Sequence, residues 1–110
     1  MIDDPHRELR NRVLLSVQRA LVGEITPTMR AIEVEFAPAR ILIRVFTDGD
    51  AHEAVRKDFD AGAMTQVVAD FPDPDAGDPQ VEFEFVALPS PAAIPVRGVL
   101  VFARAGTLFA

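Results

Sequence analysis

The chain has 110 residues, 49% of them hydrophobic, with seventeen acids against eleven bases and no cysteine. That length and apolar content suit a single α+β domain over residues 1–110 and exclude a disordered chain, while no apolar run approaches the roughly 20 residues of a membrane helix. The lack of cysteine excludes disulfides and thiol chemistry, and with the acidic, signal-free start M-I-D-D-P-H-R it points to the cytoplasm.

Asp4 followed by Pro5 predicts a helix start, an oxygen-bearing cap before a proline at the first helical position. Leu9, Val13, Val17 and Leu21 then recur every four residues as one apolar stripe, and Gly23 marks the stop. Residues 31–36 (A-I-E-V-E-F) alternate strictly, so Ile32, Val34 and Phe36 face inward and Glu33 and Glu35 outward. Ala37-Pro38-Ala39 turns the chain into residues 41–46 (I-L-I-R-V-F), apolar on both parities except at Arg44.

Asp50 with Glu53 three residues later forms a capping-box-like start for a second helix. Its stripe is Val55, Phe59, Ala63 and Val67; Ala61-Gly62 weakens its middle and Pro72 ends it near Asp70. Residues 71–79 (F-P-D-P-D-A-G-D-P) form an acidic, proline-rich loop. Residues 81–85 (V-E-F-E-F) alternate again, residues 87–95 carry three prolines as an extended loop, and Gly98 opens residues 99–104 (V-L-V-F-A-R). The tail holds Leu108 and Phe109, which either dock or fray.

The order α-β-β-α-β-β predicts a two-layer α+β sandwich, a permutation of the ferredoxin-like fold, with two helices on a four-stranded antiparallel sheet. A crossover through the second helix sets the third strand one place from the second, and a hairpin then places the fourth between them. The spatial order expected is 1-2-4-3. The apolar second and fourth strands read as central, and the Glu-bearing first and third as edges guarded by charge.

Catalytic and metal patterns fail on inspection. His52-Glu53 opens like the zinc-peptidase H-E-x-x-H, but Arg56 stands where the second histidine belongs. Asp73, Asp75 and Glu84 match the first, third and twelfth positions of a calcium loop, yet Gly77 and Asp78 are reversed and Pro79 intrudes. Ser16 and Ser90 sit in no nucleophile motif, and the six glycines make no phosphate loop. No catalytic residue, metal site or cofactor is assigned. One alternative keeps Asp48, Asp50 and His52 as a small ligand-binding or catalytic cluster, although capping accounts for the aspartates more simply.

Charge is unevenly spread. Residues 47–84 hold eleven acids against Arg56 and Lys57 alone, whereas residues 1–46 hold six acids and seven bases. Such a stretch repels phosphate backbones, so nucleic acid is excluded as a partner and a basic protein is favoured. Asp48, Asp50, Asp73, Asp75 and Asp78 are the candidate contacts. With Arg44 and Arg104 facing solvent, period two puts Leu42, Phe46, Leu100 and Phe102 on the same sheet face as one apolar patch rimmed by glutamates. That patch is either an interface, including a homodimer's, or is covered by the first helix or the tail.

Residues 17–32 (V-Q-R-A-L-V-G-E-I-T-P-T-M-R-A-I), the turn F-T-D-G-D at residues 46–50 and V-V-A-D-F-P at residues 67–72 resemble a group of small bacterial proteins that share A-L-L-G…P-x-L-R-A, F-D-G and A-D-F-P segments. Some small acidic proteins of that kind are immunity partners of bacterial toxins. The resemblance implies a non-enzymatic, acidic protein-interaction domain, in its most concrete form an immunity protein that neutralises a basic toxin. A homo-oligomeric subunit pairing through its sheet face is the other expectation.

Overall fold

A computed structural model describes residues 5–110, so the Asp4 cap lies outside the described residues. Helix α1 (Pro5–Ala20) ends where expected, and the turn after it reaches Gly23, whose φ of 81° suits a residue without a Cβ. Strands β1 (Met29–Ala37) and β2 (Arg40–Thr47) form an antiparallel hairpin. Helix α2 (Glu53–Phe59), a π-helical turn (Asp60–Met64) and α3 (Thr65–Asp70) follow in unbroken succession. A 3-10 turn (Pro74–Ala76) leads to β3 (Gln80–Ala87), and β4 (Val99–Ala103) closes the sheet.

The π turn has a geometric reason. Phe59, Ala63 and Val67 are spaced by four, and each such step drifts about 40° around an α-helix of 3.6 residues per turn. One wider turn absorbs the drift and keeps all three buried. It falls on Ala61-Gly62, where a Cβ on Gly62 would run into the Glu24 carboxylate.

Both helical runs pack on one face of the sheet. Val13, Val17, Phe59, Ala63, Val67 and Phe71 meet Ile32, Val34, Ile41, Ile43 and Val45 in one hydrophobic core. Phe83 and Phe85 set their rings edge-on to Phe59, at 4.9 and 5.5 Å between centroids. The helices are tied together where Ser16 Oγ donates to Asp70 Oδ2 at 2.6 Å, with Arg19 beside the same carboxylate.

The two-layer α+β sandwich is as expected; the strand order is not. The sheet runs β3-β2-β1-β4, with β1 central, β4 at an edge, and β2–β3 parallel, so the sheet is not wholly antiparallel. Two local features mislead. Glu33 on β1 reads as a wet edge residue, but it is fully buried because charged and backbone partners neutralise it. The doubled hydrophobicity of β4 comes from a bulge: Ile32 faces Phe102 and Glu33 faces Leu100, leaving Val101 extra. Val101 and Phe102 therefore both lean on the helix-side core. With β3 and β4 at opposite edges, residues 88–98 must cross the other sheet face instead of making a hairpin.

Candidate functional site

The outer face is a three-rung ladder set by register. Leu42 lies between Glu35 and Glu82, Arg44 between Glu33 and Glu84, and Phe46 between Ala31 and Val86. Each rung meets a different fate. Phe46 is 2% exposed, roofed with Ala31 by Ile94 of the crossing segment, and Val86, Leu88 and Val96 pack around them. The tail docks on this strap: Ile94 N–H donates to Leu108 O at 2.9 Å, and Ala110 N–H to Ile94 O at 3.0 Å. The cover over the patch is thus the strap with the tail upon it, and not the first helix.

The middle rung is ionic. Arg44, 11% exposed, pairs with Glu33, with Glu35 at 2.9 Å and with Glu84 at 3.2 Å. Glu33 also accepts the N–H groups of Arg97 at 2.8 Å and Gly98 at 3.0 Å. Burial pushes the Glu33 carboxyl up, but those two N–H groups and the Arg44 guanidinium together outweigh it and hold the group below its ordinary range. Gly98 is required for this approach, since a Cβ there would strike the Val34 carbonyl. The first rung stays open: Leu42 is half-buried and Glu82 pairs with Arg40; Leu100, 40% exposed, lies across from Glu33 on β4.

The four expected patch residues therefore separate. Leu42 and Leu100 share the open part of the outer face, Phe46 is sealed under the strap, and Phe102 belongs to the other face.

The expected acidic surface also divides in two. Asp48 lies past the Thr47 end of β2, whereas the loop with Asp73, Asp75 and Asp78 joins the Arg40 end, where Gln80 N–H donates to Ala39 O. The length of β2 sets these ends roughly 23 Å apart. Asp48 does not cap a helix. It accepts from Arg104 at 2.6 and 3.0 Å and from Ser90 Oγ at 3.0 Å. The Arg104 guanidinium holds its carboxyl far below the usual range against a smaller push from desolvation, with Ser90 adding to the effect. Asp50 caps nothing either: His52 occupies the cap position of α2 and makes no side-chain capping bond. Among the described residues no three His, Cys, Asp or Glu side chains are placed to hold a metal.

Beside Asp48 lies a residue that the alternation pattern gave no way to find. Arg30, at a register shift opening β1, is fully buried, with Nη1 donating to Leu88 O at 2.7 Å and Nε 4.0 Å from Asp48. It pins the start of the strap. At the opposite end, Asp73 accepts from Ala76 N–H at 3.2 Å, and Asp78 accepts from Asp73 N–H and lies 3.8 Å from Arg12. Asp75 is exposed.

The outer face of the sheet carries Glu33, Glu35, Glu82 and Glu84 with Arg44 among them. No helix among the described residues is long and apolar enough to cross a membrane. A search of curated proteins finds no match. The family description MafI2 immunity protein matches residues 10–106, nearly the whole chain. The segments V-Q-R-A-L-V-G…P-T-M-R-A, F-T-D-G and A-D-F-P, which supply Arg30, Asp48 and Asp70 to the ties above, lie inside that match. The chain belongs to the MafI2 immunity protein family: it is a non-enzymatic bacterial interaction protein that works by neutralising a toxin partner.

Proposed function

We propose that the toxin surface is basic and meets the β3 side of this molecule. The observation that carries this is the run of residues 73–84, which holds five acids (Asp73, Asp75, Asp78, Glu82, Glu84) and no base. Register brings Glu33 and Glu35 to the same face. Even counting Arg10, which lines one cavity with Glu35 and Arg97, together with Arg12, Arg40, Arg44 and Arg97, seven carboxylates stand against five guanidiniums there. A rigid surface of one sign speeds encounter with its opposite and repels like-charged competitors. The half-open Leu42 and the exposed Leu100 supply apolar contact within that acidic frame.

The test uses the toxin whose lethality this chain suppresses on co-expression. Its association rate should fall by about tenfold or more between low and high salt, because screening shortens the reach of exposed charge. Asp75→Asn with Glu82→Gln should slow association several-fold and leave dissociation nearly unchanged. Asp50→Asn, at the far end, is the control and should do little. Association indifferent to salt and to the double variant overturns the reading.

A further inference from the structure

The two edges of the sheet differ in a way that bears on how the toxin is held. β4 is short, five residues, and is blunted by the bulge at Val101. β3 pairs with β2 at all eight positions, Arg40 with Gln80 through Thr47 with Ala87, without a register shift and without proline.

Hydrogen bonds at its two ends fix which way its backbone points. Gln80 N–H donates to Ala39 O at 3.0 Å, and Leu88 N–H to Thr47 O at 2.8 Å. In a parallel ladder alternate residues bond to the neighbour, so the even-numbered residues face β2. Val81, Phe83, Phe85 and Ala87 turn their N–H and C=O groups outward, where no further strand pairs among the described residues. Eight backbone groups in regular order form a template for another strand.

Side chains specify the occupant. On the outer face this edge carries Glu82 and Glu84. Two copies of β3 placed side by side would set acid against acid, which disfavours self-pairing. A strand with Lys or Arg at alternate positions would be drawn to them. On the helix face Phe83 and Phe85 are half-buried against Phe59; the Arg56 guanidinium lies over the Phe85 ring at 5.3 Å, so the flanks that suit apolar side chains are those of the half-buried Val81 and Phe83.

The geometry points to β3 as a docking edge, to which an extended segment of the toxin adds as a fifth strand, basic residues over Glu82 and Glu84 alternating with apolar residues beside Val81 and Phe83. This rests on the reading of a basic toxin surface and adds the manner of attachment.

Amide hydrogen exchange, residue by residue, tests it on the free protein and on its complex with the toxin. The Val81, Phe83, Phe85 and Ala87 amides should exchange fast in the free protein and slow by about tenfold or more in the complex, while Glu82 and Glu84 amides are slow in both. Val81→Pro removes an outward N–H without touching the ladder to β2, so it should speed toxin dissociation about tenfold or more, beyond any effect of Val81→Ala. If Val81→Pro fails to fold, the exchange experiment decides alone. Outward amides that stay fast in the complex overturn strand addition, and a salt-sensitive association in that same complex would leave the charge reading standing. Protection without salt dependence would keep the added strand and remove the basic toxin surface.

Discussion

The two faces of the sheet are built from alternate residues of the same strands, save at the β4 bulge, yet they are stabilised by different physics. The helix face is an aliphatic and aromatic core closed by α1 and the α2–α3 run. The outer face divides into a small apolar patch sealed by the strap, a buried ionic rung and an open acidic rung. Removing a side chain from the first face leaves a cavity among regular elements. On the second, the cover is a loop that can settle, and the partners are charges that respond to pH.

Phe59→Ala should give the largest loss of stability, about 3–5 kcal/mol, because regular elements on every side cannot close the cavity. Phe46→Ala should cost less, at the low end of that range near about 3 kcal/mol, since the strap over it can partly collapse. Urea denaturation of both variants makes the comparison. Equal losses would show that the strap is as rigid as the helix layer. Phe46→Glu should unfold the strap instead of merely blocking association, as a sealed phenylalanine is not an available contact.

Between these faces, the sequence is legible on one and only half legible on the other. Ile32, Val34, Ile43, Val45 and the helix stripe through Phe59 follow from period two and from spacing by four, because hydrophobic burial leaves a regular signature. Glu33 follows the same rule and misleads, since alternation reports polarity and not exposure. Its burial depends on Arg44 across the strand and on Arg97 and Gly98 more than sixty residues away. Phe102 misleads because one bulged residue reverses the face. Arg30 gave no pattern at all: its partners Asp48 and Leu88 meet it only once β1 has paired with β2 and β3 with β2. The candidate aspartates were found by composition, which counts charge but does not locate it, so one expected surface became two separated ends.

The ionic rung offers a sharper test of the difference. Glu33→Gln should cost about 2 kcal/mol at neutral pH, in the range of charge-assisted hydrogen bonds lost from a buried site. The folded protein holds the Glu33 carboxyl below its ordinary value. Its contribution is therefore present above an unfolded pKa of about 4.3 and is lost as pH falls through the folded value. The gap between parent and variant should be widest near pH 7 and shrink below about pH 4. A gap that stays constant with pH would mean that Glu33 acts by shape and not by charge.

The smallest effects lie in the acidic loop, and they separate carboxylates that hold structure from those that face outward. Asp73 caps the 3-10 turn through Ala76 N–H and receives the N–H of Asp78 on its carbonyl, with Gly77 between them at φ 105°. Asp73→Ala should then lower stability by about 1 kcal/mol, as the loss of a capping oxygen does. Asp75 is exposed in the same turn, so Asp75→Ala should shift stability by no more than about 0.5 kcal/mol. On toxin association the order should reverse in clarity: Asp75→Ala slows encounter with melting unchanged, whereas Asp73→Ala mixes a lost charge with a loosened loop. Thermal melts and association rates of the two single variants, measured together, decide it. Equal melting shifts would show that the loop has no fixed cap, and that its carboxylates act only as an averaged cloud of charge.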